Sequence, residues 1–92
     1  VPGTGCCLDF GNFEHPIRNE AILALVPHTV HIHAKSYAFD SQGNETTLPY
    51  PRFMRALSHV NYDGWFVIEY EGHQEPVSGI EQTRSLLTRL RF

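Results

Sequence analysis

Asp9, His33 and Glu69 each stand near the C-terminal end of a short apolar run: Cys6-Cys7-Leu8-Asp9-Phe10, Val30-His31-Ile32-His33-Ala34 and Trp65-Phe66-Val67-Ile68-Glu69-Tyr70. A carboxylate in such a run is costly to bury unless it is paired or bound to a cation. One Asp, one His and one Glu suit a hard or borderline divalent cation, with Mn2+, Mg2+ or Co2+ favoured over Zn2+. Strand residues alternate between faces, so all three can point inward at one rim of a parallel barrel while their neighbours pack against helices. A plainer role is open to Asp9, which at a strand end can cap the following turn. Glu is disfavoured in strands, and the same escape is weaker for Glu69.

His31, His33 and Lys35 share one strand face, and only one of the histidines need be a ligand. His33 is nearer the C-terminal rim; His31 lies a layer deeper and is expected to be a hydrogen-bonded core histidine. Lys35 and Glu71, at rim positions, are candidate contacts for a polar substrate, although an ion pair between them explains their types nearly as well. His15, His28, His59 and His73 fall in loops or helices, where solvation is the default. The only cysteines, Cys6 and Cys7, are adjacent and poorly placed to bridge each other. Both are expected to be reduced core residues.

These residues are set in a strand–helix pattern repeated three times, with Gly, Pro, Asn and Asp between the elements. A strand over about Gly5 to Phe10 leads to a helix near Pro16 to Val26, with Ile17, Ala21 and Leu25 inward and Pro27 ending it. A second strand, about Thr29 to Ala34, runs into the polar loop Asp40-Ser41-Gln42-Gly43-Asn44-Glu45 and a helix from about Pro51 to His59 that buries Phe53, Met54 and Leu57. Tyr62-Asp63-Gly64 turns into the third strand, and a last helix places Ile80, Thr83, Leu87 and Leu90 inward. Three βα units with apolar strands predict a parallel sheet, doubly wound or closed. The lack of a phosphate-cradling glycine motif disfavours the doubly wound choice.

At 92 residues, with 41% hydrophobic and 18% charged residues, the chain allows one modest core and reads as a single partial domain over 1–92. A net charge of -3 with scattered Lys and Arg argues against nucleic-acid binding. Neither a run of about 18 apolar residues nor a charged-then-apolar leader occurs, so no membrane partner and a soluble, cytoplasmic setting are expected.

The motifs Leu8-Asp9-Phe10-Gly11-Asn12-Phe13, Val30-His31-Ile32-His33-Ala34-Lys35 and Val67-Ile68-Glu69-Tyr70-Glu71-Gly72, in this order, resemble the xylose-isomerase-like superfamily of sugar-phosphate isomerases and epimerases. The resemblance covers nearly the whole chain and implies the last three βα units of a (βα)8 TIM barrel. It implies a metal held by two Glu, one Asp and one His. Asp9 matches the metal Asp, His33 the metal His, and Glu69 the second metal Glu, which in epimerases also moves a proton. The other Glu belongs to an earlier strand, and a full barrel needs about 250 residues; the chain, which begins without Met, is therefore expected to be a C-terminal fragment of a longer enzyme. Where many relatives carry a His three residues after the metal Asp, this chain has Asn12, which can hydrogen-bond a substrate hydroxyl but not donate a proton.

The resemblance implies an enzyme that moves a proton between adjacent carbons of a sugar or sugar phosphate through an enediolate, with Glu69 catalytic and Asn12, Lys35 and Glu71 on the substrate. Two alternatives are a metal phosphodiesterase like the apurinic endonucleases and a non-catalytic barrel fragment. The first is disfavoured by the missing histidines and the acidic charge. Exposed strand edges on three isolated units imply self-association or pairing with the rest of a barrel.

Overall fold

The computed structural model describes residues 5–11 and 17–91. Its elements are β1 (Cys6–Asp9), α1 (Arg18–Leu25) continued by a 3-10 turn (Val26–His28), β2 (Thr29–Ser36), α2 (Tyr50–His59), β3 (Phe66–Tyr70) and α3 (Pro76–Leu90). The strands lie in the order β1-β2-β3 and both pairings are parallel. This is the βαβαβα architecture expected, a segment of a TIM barrel. Among the described residues, no helix is long and apolar enough to cross a membrane.

One sheet face is apolar and covered by helices. Leu8, Ile32 and Ala34 are buried there, in a core shared with Phe10, Ile22, Phe53, Leu57 and Leu86. On α2, Tyr50, Phe53, Met54 and Leu57 recur at helical spacing and are all buried, including the three residues that the sequence assigned to that face. Phe10 follows β1 into this layer, with its ring edge-on to Tyr50 at 5.3 Å and tilted against Phe53 at 4.9 Å. Helix α3 begins at Pro76 behind an N-cap, Glu75, whose carboxylate accepts from the Val77 and Ser78 amides.

The inward stripes of the two outer helices differ from those expected. In α1, Ile22 is buried and Ile17 is 58% exposed, because the helix starts at Arg18 and the stripe runs through Ile22 to Val26. In α3, Gly79, Thr83, Leu86 and Leu87 face inward while Ile80 is 43% exposed. Here the neighbours decide. The Tyr70 ring lies 2.4 Å from where a Cβ on residue 79 would sit, which admits only glycine. One step further along this seam the Thr83 hydroxyl meets that of Ser36 at 2.6 Å and donates to the Gly79 carbonyl. Both cysteines are free thiols, Cys6 half-buried and Cys7 on the sheet face that the helices do not cover.

The loop after β2 is tied by a residue that the sequence pattern did not single out. Glu45 is buried, and its carboxylate accepts from the backbone amides of Tyr37, Ala38, Thr47 and Leu48 and from the Thr47 hydroxyl. Tyr50, at the start of α2, donates its hydroxyl to the Lys35 carbonyl at 2.6 Å. Burial, with the Glu45 charge nearby, pushes the Tyr50 phenol far above its ordinary value.

Glu45→Ala leaves buried amides without an acceptor and should cost about 3 kcal/mol in urea unfolding. Tyr50→Phe should cost about 1 kcal/mol at neutral pH. A phenol whose folded pKa is raised contributes fully below its unfolded value of 10.0 and loses that contribution as pH climbs above it. Above pH 10.0 the stability of the unaltered chain should therefore fall more steeply than that of Tyr50→Phe, by about 1.4 kcal/mol per pH unit.

Candidate metal centre

The second sheet face is polar, and its composition follows from register. Cys7 is the Cα partner of His31, Asp9 of His33, and Lys35 of Glu69. Paired residues of a parallel ladder share a face, so these three pairs form ascending rows on the side opposite Leu8, Ile32 and Ala34.

Asp9, His33 and Glu69 are brought together, with one potential ligand atom from each lying within 4.8 Å of the others. His33 Nδ1 is 3.0 Å from Glu69 Oε1 and 3.7 Å from Asp9 Oδ2. The shorter approach is not a hydrogen bond: Glu69 Oε1 is buried and takes none, so the ring nitrogen and the carboxylate oxygen meet without a proton aligned between them. A buried carboxylate oxygen without a donor, beside an imidazole nitrogen and a second carboxylate, is an arrangement that a cation would satisfy. The donor set fits the divalent metal that the sequence motifs imply.

Asp9 is held from two sides. Its Oδ1 accepts from the Gly11 amide at 2.8 Å, the turn-capping role open to it from sequence, while Oδ2 faces Lys35 Nζ at 3.4 Å as well as His33. Lys35 is itself buried and also meets Glu71 Oε2 at 3.3 Å. Burial pulls the Lys35 ammonium down, but the charges and hydrogen bonds of Asp9 and Glu71 outweigh it, and its pKa is raised. The ion pair between Lys35 and Glu71 is thus present, with the Glu71 side chain half in solvent. Gly11 gives this corner its room, since a Cβ there would run into the Tyr37 hydroxyl and the Lys35 stem.

His31 is half-buried on the face that the helices leave open, where no element packs over its row among the described residues. Its ring meets that of His33 edge-on at 5.3 Å. His28, His59 and His73 are exposed, as expected, while Asn12 and His15 lie outside the described residues. A concavity of about 580 Å³ lies elsewhere, at the N-terminal end of β3, where Met54, Tyr62, Trp65 and Leu87 line it. Its charged lining residues, Asp63, Arg84 and Arg91, form no group of metal ligands among the described residues, and the polar sheet face is the better candidate.

Residues 1–90 match the family model described as a xylose isomerase-like TIM barrel. The chain is similar to the C-glycoside deglycosidase alpha subunit of Arthrobacter globiformis, at 32% identity over 85% of this chain and 24% of that protein. It is also similar to the 3'-dehydrocarminate deglycosidase alpha subunit of a Microbacterium species, at 37% identity over 67% of this chain and 18% of that protein. The chain therefore spans about a quarter or less of the length of these curated relatives. With its parallel strands, alternating helices and polar rim, it belongs to the xylose isomerase-like TIM-barrel family, of whose barrel it forms three consecutive βα units.

Proposed function

We propose that the protein acts on a carbonyl-bearing sugar by taking a proton from the carbon next to the carbonyl, with Glu69 as the base. The observation that carries this reading is the buried, unpartnered Oε1 of Glu69 beside His33 and Asp9. Asp9, His33 and Glu69 would hold a divalent cation, Mn2+, Mg2+ or Co2+ before Zn2+, which when bound supplies Lewis-acid stabilisation of negative charge developing on the substrate oxygen.

The Glu69 side chain is 38% exposed, so a sugar lying on the polar face reaches it. Removal of the proton gives an enediolate; return of a proton at the neighbouring carbon completes an isomerisation, and return to the same carbon from the opposite face an epimerisation. Asn12 and Glu71 are proposed to hydrogen-bond the sugar hydroxyls. Lys35 orients Asp9 through the ion pair between them and meets the substrate at the rim. The remaining barrel strands would come from a longer chain and would pair with the outer strands β1 and β3; without them those edges favour self-association.

A second outcome of the same proton removal is favoured by the names of both relatives, which are deglycosidase subunits, one of them for a 3'-dehydro compound. In a glycoside oxidised at C3, a base takes the C2 proton and the C–H electron pair forms the enolate of the C3 carbonyl. That enolate then expels the C1 substituent, which leaves with the bonding pair and a proton from solvent. Glu69 would serve both outcomes unchanged.

In the full-length protein, Glu69→Gln should lower turnover about 10³-fold with an unchanged far-ultraviolet circular dichroism spectrum, and should abolish deuterium exchange from D2O at the carbon next to the sugar carbonyl. Retained exchange would remove Glu69 from this role. Lys35→Met leaves the buried Asp9 carboxylate without its cation and should destabilise the chain by about 3 kcal/mol in urea unfolding, while weakening Mn2+ binding in calorimetry through the loosened Asp9.

A further inference from the structure

One row below the Asp9–His33 pair, Cys7 and His31 face each other across the β1–β2 ladder. Cys7 Sγ, a ring nitrogen of His31 and a ring nitrogen of His33 all lie within 4.8 Å of one another, on the face that the helices leave open. The cysteine is a free thiol, not committed to a disulfide. A tetrahedral cation with sulfur and imidazole ligands holds its donors about 3.3 to 3.7 Å apart, which small side-chain rotations reach from this arrangement. The edge-on contact of the two imidazoles, at 76° between planes, already brings both rings to one place.

We propose that Cys7, His31 and His33 form a second metal site, distinct in chemistry from the Asp9, His33 and Glu69 set. One thiolate and two imidazoles select borderline to soft cations, Zn2+ or Cd2+, over the Mn2+ and Mg2+ that carboxylates prefer. Binding exchanges the thiol proton for the cation: the S–H bond breaks, the proton goes to solvent and the sulfur lone pair forms the metal–sulfur bond, with no change of oxidation state. Three protein ligands leave a fourth position open to water or a small ligand. Because His33 belongs to both sets, a cation held by Cys7 and His31 draws it away from Asp9 and Glu69. This inference shares only that histidine with the proposed sugar chemistry and does not depend on it.

Cobalt absorption on the full chain separates the two sets, since only thiolate ligation gives an intense charge-transfer band in the near ultraviolet. The chain loaded with Co2+ should show that band. Cys7→Ser and His31→Gln should abolish it, whereas Cys6→Ser and Glu69→Gln should keep it. Far-ultraviolet circular dichroism of Cys7→Ser, at an exposed position, should match the unaltered chain. Cobalt bound by Glu69→Gln without a thiolate band, or a band that survives Cys7→Ser in the folded chain, would overturn the proposal.

Discussion

A one-residue slip in the β1–β2 ladder would leave Asp9 and Cys7 facing no histidine, and the same slip in β2–β3 would part Lys35 from Glu69. The whole polar face depends on those registers. The face opposite enforces them. Leu8, Ile32 and Ala34 must all reach the helix layer, and no one-residue shift buries them while leaving His31, His33 and Lys35 outward. Backbone bonds beyond the strand ends extend the same alignment, from the Phe10 amide to the His33 carbonyl and from the Glu71 amide to Ser36. Tyr50 adds a lock from α2 by bonding the Lys35 carbonyl. The site is thus positioned by apolar burial on the side it does not occupy.

Charge balance is the second constraint. Asp9 and Lys35 are both buried, and neither would be tolerable without the other. Lys35 is shared with Glu71 and compensates acidic groups on β1 and just beyond β3, while the Gly11 amide donates to the other oxygen of Asp9. Glu69 receives no comparable compensation. Among the described residues its buried oxygen meets the His33 ring alone, and not in hydrogen-bonding geometry, so the polar network there is complete around Asp9 and incomplete at Glu69.

The residues that the sequence made legible are those whose type contradicts their surroundings: Asp9, His33 and Glu69 are conspicuous because their neighbours are apolar and strand-forming. The βα order was legible for a related reason, since each strand and each Pro- or Gly-bounded helix has a local signature. Where packing partners decide, the reading slipped. Ile17 and Ile80 have the right hydrophobicity for a core, but the start of α1 and the Tyr70 ring against Gly79 turn the inner stripes to other residues. Cys7 and His31 face the side that the helices leave open, which is the inner side of a closed barrel. Glu45 gave almost no signal, being one acidic residue in a polar loop; only the converging amides of Tyr37, Ala38, Thr47 and Leu48 reveal it as the loop's anchor.

These features converge on an economical division of labour along β2. Its even-numbered residues Ile32 and Ala34 belong to the core, and Ser36 bonds Thr83 of α3, so half of the strand is fixed by packing. Its odd-numbered residues His31, His33 and Lys35 then stand in successive rows with no freedom to leave the face, each against a different partner: a thiol, a pair of carboxylates and an ion-pair network. In the proposed scheme, a histidine between a soft row and a hard row would be the point where cation choice is made. The strand's alternation, a property of any pleated backbone, would then set both which side chains are available to a metal and which metals they can distinguish.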